Sequence, residues 1–107
     1  MNDTLLVLTN APDAEIAERI ARHLVEDHLA ACVNRLAPCR SVYRWQGAVE
    51  EAEEIPLLIK TTAARYPEVE AAIRALHPYE LPEVLAVRVE RGLPAFLTWV
   101  ARETLTD

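Results

Sequence analysis

A chain of 107 residues with a formal charge of −6, from 11 Lys and Arg against 17 Asp and Glu, supports one domain over residues 1–107 and no second core. Its hydrophobic share of 51% and charged share of 26% are those of a folded protein rather than a disordered one. The acidic balance excludes nucleic acid, which is bound by Lys and Arg displacing counterions from phosphates, and it excludes an anionic membrane surface.

Met1-Asn2-Asp3-Thr4 sets no basic segment ahead of the short run Leu5-Leu6-Val7-Leu8, so no secretory signal is expected. No run approaches the ~20 apolar residues of a membrane span. Cys32 and Cys39 are too few for a disulfide scaffold and are read as reduced thiols of a cytoplasmic protein.

Residues 4–9 form a nearly all-apolar strand. Pro12-Asp13 opens a helix with Asp13 as N-cap, and Ile16, Ala17, Ile20, Ala21, Leu24 and Val25 make its apolar stripe. His23 and Asp27 fall four apart on its polar side, as a solvated pair or a shared metal site, and His28 suits the helix end as a cap. Residues 30–36 are a second apolar run, broken at Pro38 and resumed through Ser41-Val42-Tyr43-Arg44-Trp45. Both cysteines fall in this limb, an odd seven residues apart, which places them on opposite faces unless a bulge intervenes at Cys39.

Gln46-Gly47 is a turn signal, so a long hairpin returns from Ala48 through Glu50, Glu51, Glu53 and Glu54 to Ile59 and Lys60. Pro56 within it marks a bulge or an edge. Pro67 starts a second helix along Val69, Ala72, Ile73 and Leu76, and Pro78 limits it. Residues 84–89 are a last strand, and a short helix carries Phe96, Leu97, Val100 and Ala101.

The order βαββαβ with a terminal helix is the ferredoxin-like α+β sandwich, helices on one face of an antiparallel sheet. Its central hairpin is too long for the outer strands and must overhang them with Tyr43 and Trp45 near the tip. Leaving each ring exposed forgoes roughly 1.5–3 kcal/mol of burial, and a bare edge invites pairing, so self-association through Tyr43 and Trp45 is expected.

Only Gly47 and Gly92 are present, which excludes phosphate-cradling and dinucleotide loops, and the single serine, Ser41, lies in a strand. Cys32 is either a small buried hydrophobe or a soft ligand at a subunit boundary. His77-Pro78-Tyr79-Glu80-Leu81-Pro82-Glu83 concentrates an imidazole, a phenol and two carboxylates in a proline-stiffened loop. It is either a helix stop or a binding site for a metal or anion, and one imidazole needs further ligands from elsewhere. Lys60 is an edge gatekeeper or a cation facing an inter-subunit cleft.

Taken in order, Thr9-Asn10-Ala11-Pro12-Asp13, Leu29-Ala30-Ala31-Cys32-Val33-Asn34, Ser41-Val42-Tyr43-Arg44-Trp45-Gln46-Gly47, Glu54, Lys60-Thr61-Thr62, the His77–Glu83 loop and Trp99 resemble the divalent-cation-tolerance family CutA over residues 5–99. The resemblance implies a homotrimer of ferredoxin-like protomers, with long hairpins pairing between subunits, and a link to tolerance of divalent cations, copper especially. It also implies a fold similar to that of the PII signal proteins, which bind small effectors between subunits. The family ties copper to a cysteine ending the first strand and to tandem histidines before Pro-Tyr, and here those positions hold Thr9 and Leu76-His77.

The leading expectation is a non-enzymatic trimer that binds Cu(II) or another divalent cation weakly through His77, with Glu80, Glu83 or Cys32. The alternative is a PII-like sensor or scaffold whose cleft, lined by Tyr43, Lys60, His77 and Tyr79, takes a small anionic ligand or a partner's tail. An enzyme using His77 and Glu80 as acid and base is a third reading.

Overall fold

A computed structural model describes residues 2–105; the ends of the expected domain, Met1, Thr106 and Asp107, lie outside the described residues. The order is β1 (Thr4–Ala11), α1 (Ala14–Glu26), β2 (Cys32–Arg35), β3 (Cys39–Trp45), β4 (Ala48–Thr62), α2 (Tyr66–Leu76), β5 (Leu85–Arg88) and α3 (Pro94–Glu103). The antiparallel sheet runs β2-β4-β1-β5, with β3 on β4 beyond the end of β2. This is the ferredoxin-like α+β arrangement, and no described helix is long and apolar enough to cross a membrane.

One sheet face makes the core. Leu5, Val7, Thr9 and Ala11 of β1 stand opposite Thr61, Ile59, Leu57 and Ile55 of β4, alternating with the pleat. Ala17, Ile20 and Leu24 of α1 and Val69 and Ile73 of α2 cover them. Asp13 caps α1 as expected, accepting from the Ile16 amide at 2.8 Å. Each fully buried Ile or Leu contributes about 1.5–3 kcal/mol over an exposed one, which makes this layer the anchor of the fold.

The limb carrying the two cysteines is not one strand. Residues 36–38 break it, because Pro38 lacks a donor, and Leu36 donates to the Pro56 carbonyl at 3.0 Å inside the gap. The break also resets the phase. Cys32 faces Lys60 and Cys39 faces Glu54, six residues apart on β4, so both lie on the same face rather than on opposite ones. Pro56 causes no bulge: Asn10 stays opposite it, and its missing N–H falls in that gap.

The far sheet face is only partly covered. One cross-strand row reads Cys32, Lys60, Leu6, Val87, and the next reads Asn34, Leu58, Leu8, Leu85. Leu85 and Val87 are 57% and 52% exposed. The β3–β4 hairpin runs past β1, since residues 48–54 of β4 pair with β3 alone. At ~3.3 Å per residue that overhang is roughly 23 Å, and it stretches the molecule to 44 Å against 25 and 23 Å across. Gln46 and Gly47 turn its tip with φ of 50° and 82°, the left-handed pair of a tight two-residue turn.

Candidate functional site

The 78–84 loop meets the base of the hairpin, and His77 sets its position. Pro78 pushes His77 out of the helical region, to φ −83° and ψ 133°, so α2 ends there. The imidazole is 6% exposed. Its Nε2 lies 2.7 Å from the Asn10 carbonyl, and its Nδ1 accepts the Tyr79 amide at 3.2 Å. A carbonyl only accepts and an amide N–H only donates, so the ring is assigned as the neutral Nε2–H tautomer with both nitrogens committed. Tyr79 packs against it with ring centroids 4.5 Å apart and the planes tilted by 57°, and Asn10 Nδ2 donates to Glu83 at 3.3 Å.

Between this loop and β3 lies a cleft of about 890 Å³. Tyr43, Trp45, Tyr79, Glu80 and Glu83 line it, with Asn10, Arg44 and Glu54. The Tyr79 phenol is pushed up to about 12, first by burial and then by the Glu54 carboxylate beside it, so it remains a neutral donor at ordinary pH.

The structure thus gathers Tyr43, Tyr79, Glu80 and Glu83, with Trp45, at one cleft, and puts His77 behind its wall as a strut. Cys32 and Lys60 are placed elsewhere. They face each other across β2 and β4, and Lys60 Nζ donates to the Asn34 side chain. Within one chain Lys60 does not line this cleft, and Cys32 does not join His77. Among the described residues no three His, Cys, Asp or Glu side chains come close enough to hold a metal ion, so the set His77, Cys32, Glu80 and Glu83 does not fit a divalent cation within one chain. His23 and Asp27 sit 3.7 Å apart on the wet face, and His28 bonds the Glu103 carbonyl at 3.0 Å. Thr9 points into the core at 1% exposure.

Glu54 is the residue the sequence did not single out as a site. It sits in an acidic run with Glu50, Glu51 and Glu53, and only the register opposite Cys39 turns it inward, to 7% exposure.

A family model described as CutA1 divalent ion tolerance protein matches residues 5–103. The divalent-cation tolerance protein CutA of Thermus thermophilus is 43% identical over 99 residues, covering 92% of this chain and 96% of that one. The crystal structure of CutA from Xylella fastidiosa superposes with a TM-score of 0.93 at 48% identity, covering 95% and 98% of the two chains. The PII-like protein CutA from Nostoc sp. PCC 7120 superposes with a TM-score of 0.87 at 40% identity, covering 94% and 97%.

Proposed function

The chain belongs to the CutA1 divalent ion tolerance family, and from that premise we propose that it serves divalent-cation tolerance as a homotrimer without catalytic activity. The observation that carries the assembly is the 48–54 overhang, a two-stranded ribbon that among the described residues pairs with nothing but itself. Such a ribbon is marginal in water, and this one holds Val42 and Val49 66% and 64% exposed beside Tyr43 and Trp45. The row through Leu85 and Val87 offers the same neighbour an apolar face.

Copper or another divalent cation is held weakly in this reading. With both His77 nitrogens committed, the exposed carboxylates of Glu80 and Glu83 are the ligands one chain can offer. A second copy completes the coordination, because two carboxylates alone bind a divalent ion loosely. With Cys32 and Cys39 both free thiols, the cytoplasm is the compartment proposed.

A PII-like role in small-ligand signalling is the second reading. It is favoured by the Nostoc relative and by a cleft large enough for an organic molecule.

Native mass spectrometry of untagged protein, with and without one equivalent of Cu(II) per chain, tests the proposal. A trimer that gains copper is the expected result. A trimer that stays bare would leave only the second reading, and a monomer would defeat both.

A further inference from the structure

We propose that His77 is a proton-operated latch: neutral, it pins the 78–84 loop to the end of β1, and protonation of its Nδ1 releases the loop from that anchor. This goes beyond the divalent-cation reading and does not depend on it.

The three histidines of the chain respond differently to a proton. His28 Nδ1 donates to the Glu103 carbonyl at 3.0 Å, a bond that a second ring proton leaves intact. His23 faces Asp27 at 3.7 Å, where a proton adds attraction. His77 alone loses a bond. Its Nδ1 turns a lone pair to the Tyr79 amide at 3.2 Å, while its Nε2–H donates to the Asn10 carbonyl at 2.7 Å. A proton on Nδ1 sets N–H against N–H, and with the residue 6% exposed water is poorly placed to take over the bond.

No nearby charge offsets that loss. Arg74, one turn back on α2, is a cation like the imidazolium it would meet. Of the carboxylates around the loop, Asp13 caps α1, Glu83 accepts from Asn10 Nδ2, Glu54 accepts from the Tyr79 phenol, and Glu80 is exposed. Among the described residues no Asp or Glu forms an ion pair with His77. The unfolded chain takes a proton on this ring at the ordinary imidazole value of ~6.5, whereas the latched ring has no free lone pair for it. The latch therefore adds stability above that range and loses it as pH falls below. Every contact in it lies within one chain, so neighbouring copies leave it in place.

Hydrogen exchange of the Tyr79 amide tests this, read by NMR on the assembled protein in EDTA and corrected for the intrinsic rate, at about pH 7.5 and about pH 5, either side of the histidine range. Protection at Tyr79 is expected to fall at least about tenfold at the lower pH, while the amides of Val7 and Ile59, paired across β1 and β4, keep theirs. The imidazole 15N shifts of His77 should pass from the neutral to the doubly protonated form over the same interval. In His77→Asn the side-chain oxygen takes the amide two residues on, as in an Asx turn, and does not titrate, so Tyr79 protection should change by less than about threefold. Unchanged protection in the wild type, a loss in step with Val7 and Ile59, or an equal loss in a folded His77→Asn overturns the proposal. The wild-type comparison decides by itself if His77→Asn does not fold.

Discussion

The Nε2 of His77 reaches the carbonyl of Asn10 at 2.7 Å, which ties the end of α2 to the end of β1 across 67 residues of sequence. The ring is a strut, and its removal leaves a carbonyl and the Tyr79 amide without partners. His77→Ala should therefore lower stability by about 2–4 kcal/mol, read from urea denaturation at fixed protein concentration. Because neither nitrogen has a free lone pair for a metal, copper uptake should be unchanged in the folded variant. Loss of copper with no loss of stability would return His77 to the ligand set.

Tyr79 sets an alkaline limit on the same loop. Its folded value of about 12 lies above a phenol's ordinary 10.0, so the neutral phenol is the form the fold favours. The stability this adds is fully present below pH 10 and is lost as pH rises from there towards 12. In a spectrophotometric titration Tyr79→Phe should remove the last phenol to ionise. Glu54→Gln should lower that last value only in part, since burial is the larger cause. A titration with no late phenol would contradict the packing of this loop.

What the sequence revealed and what it hid divide along local and non-local causes. Asp13 before an apolar stripe, Gln46-Gly47 between extended runs, and Pro78 after a helix are local signals, and each acts where expected. The cleft is different. Glu54 turns inward because it stands opposite Cys39, and that register depends on how residues 36–38 break the limb. A shift of one residue would send it to the other face. Lys60 shares a side of β4 with Glu54 but stands six residues further along, in the row of Cys32 and Leu6, and so lies outside this chain's cleft. His77 was legible as a special residue, but its role was not, since the partner that commits Nε2 lies 67 positions away.

Thr9 offers a test inside the core. Its Oγ1 is buried with no hydrogen-bond partner, the one such side-chain atom among the described residues. Thr9→Val keeps the shape and removes the stranded hydroxyl, so it should stabilise the protein by about 1 kcal/mol. Equal or lower stability on denaturation would mean that the hydroxyl finds a partner in solution.

Assembly is the property in which exposure and energy disagree most sharply. Val87 is 52% exposed and Trp45 36% exposed, and exposed positions in a lone chain tolerate substitution to within about 0.5 kcal/mol. If a second copy covers them, a charge at either one is buried in the interface and weakens association by several kcal/mol. Val87→Lys and Trp45→Glu are therefore expected to shift a trimer towards monomer in light scattering at micromolar concentration, while circular dichroism keeps the same α+β spectrum. The two report on different surfaces, the sheet face and the overhanging hairpin. Dissociation by Trp45→Glu alone would locate the interface on the hairpin, and dissociation by Val87→Lys alone would locate it on the sheet. A trimer unmoved by both would show that neighbouring copies meet elsewhere and that the overhang is stable without them.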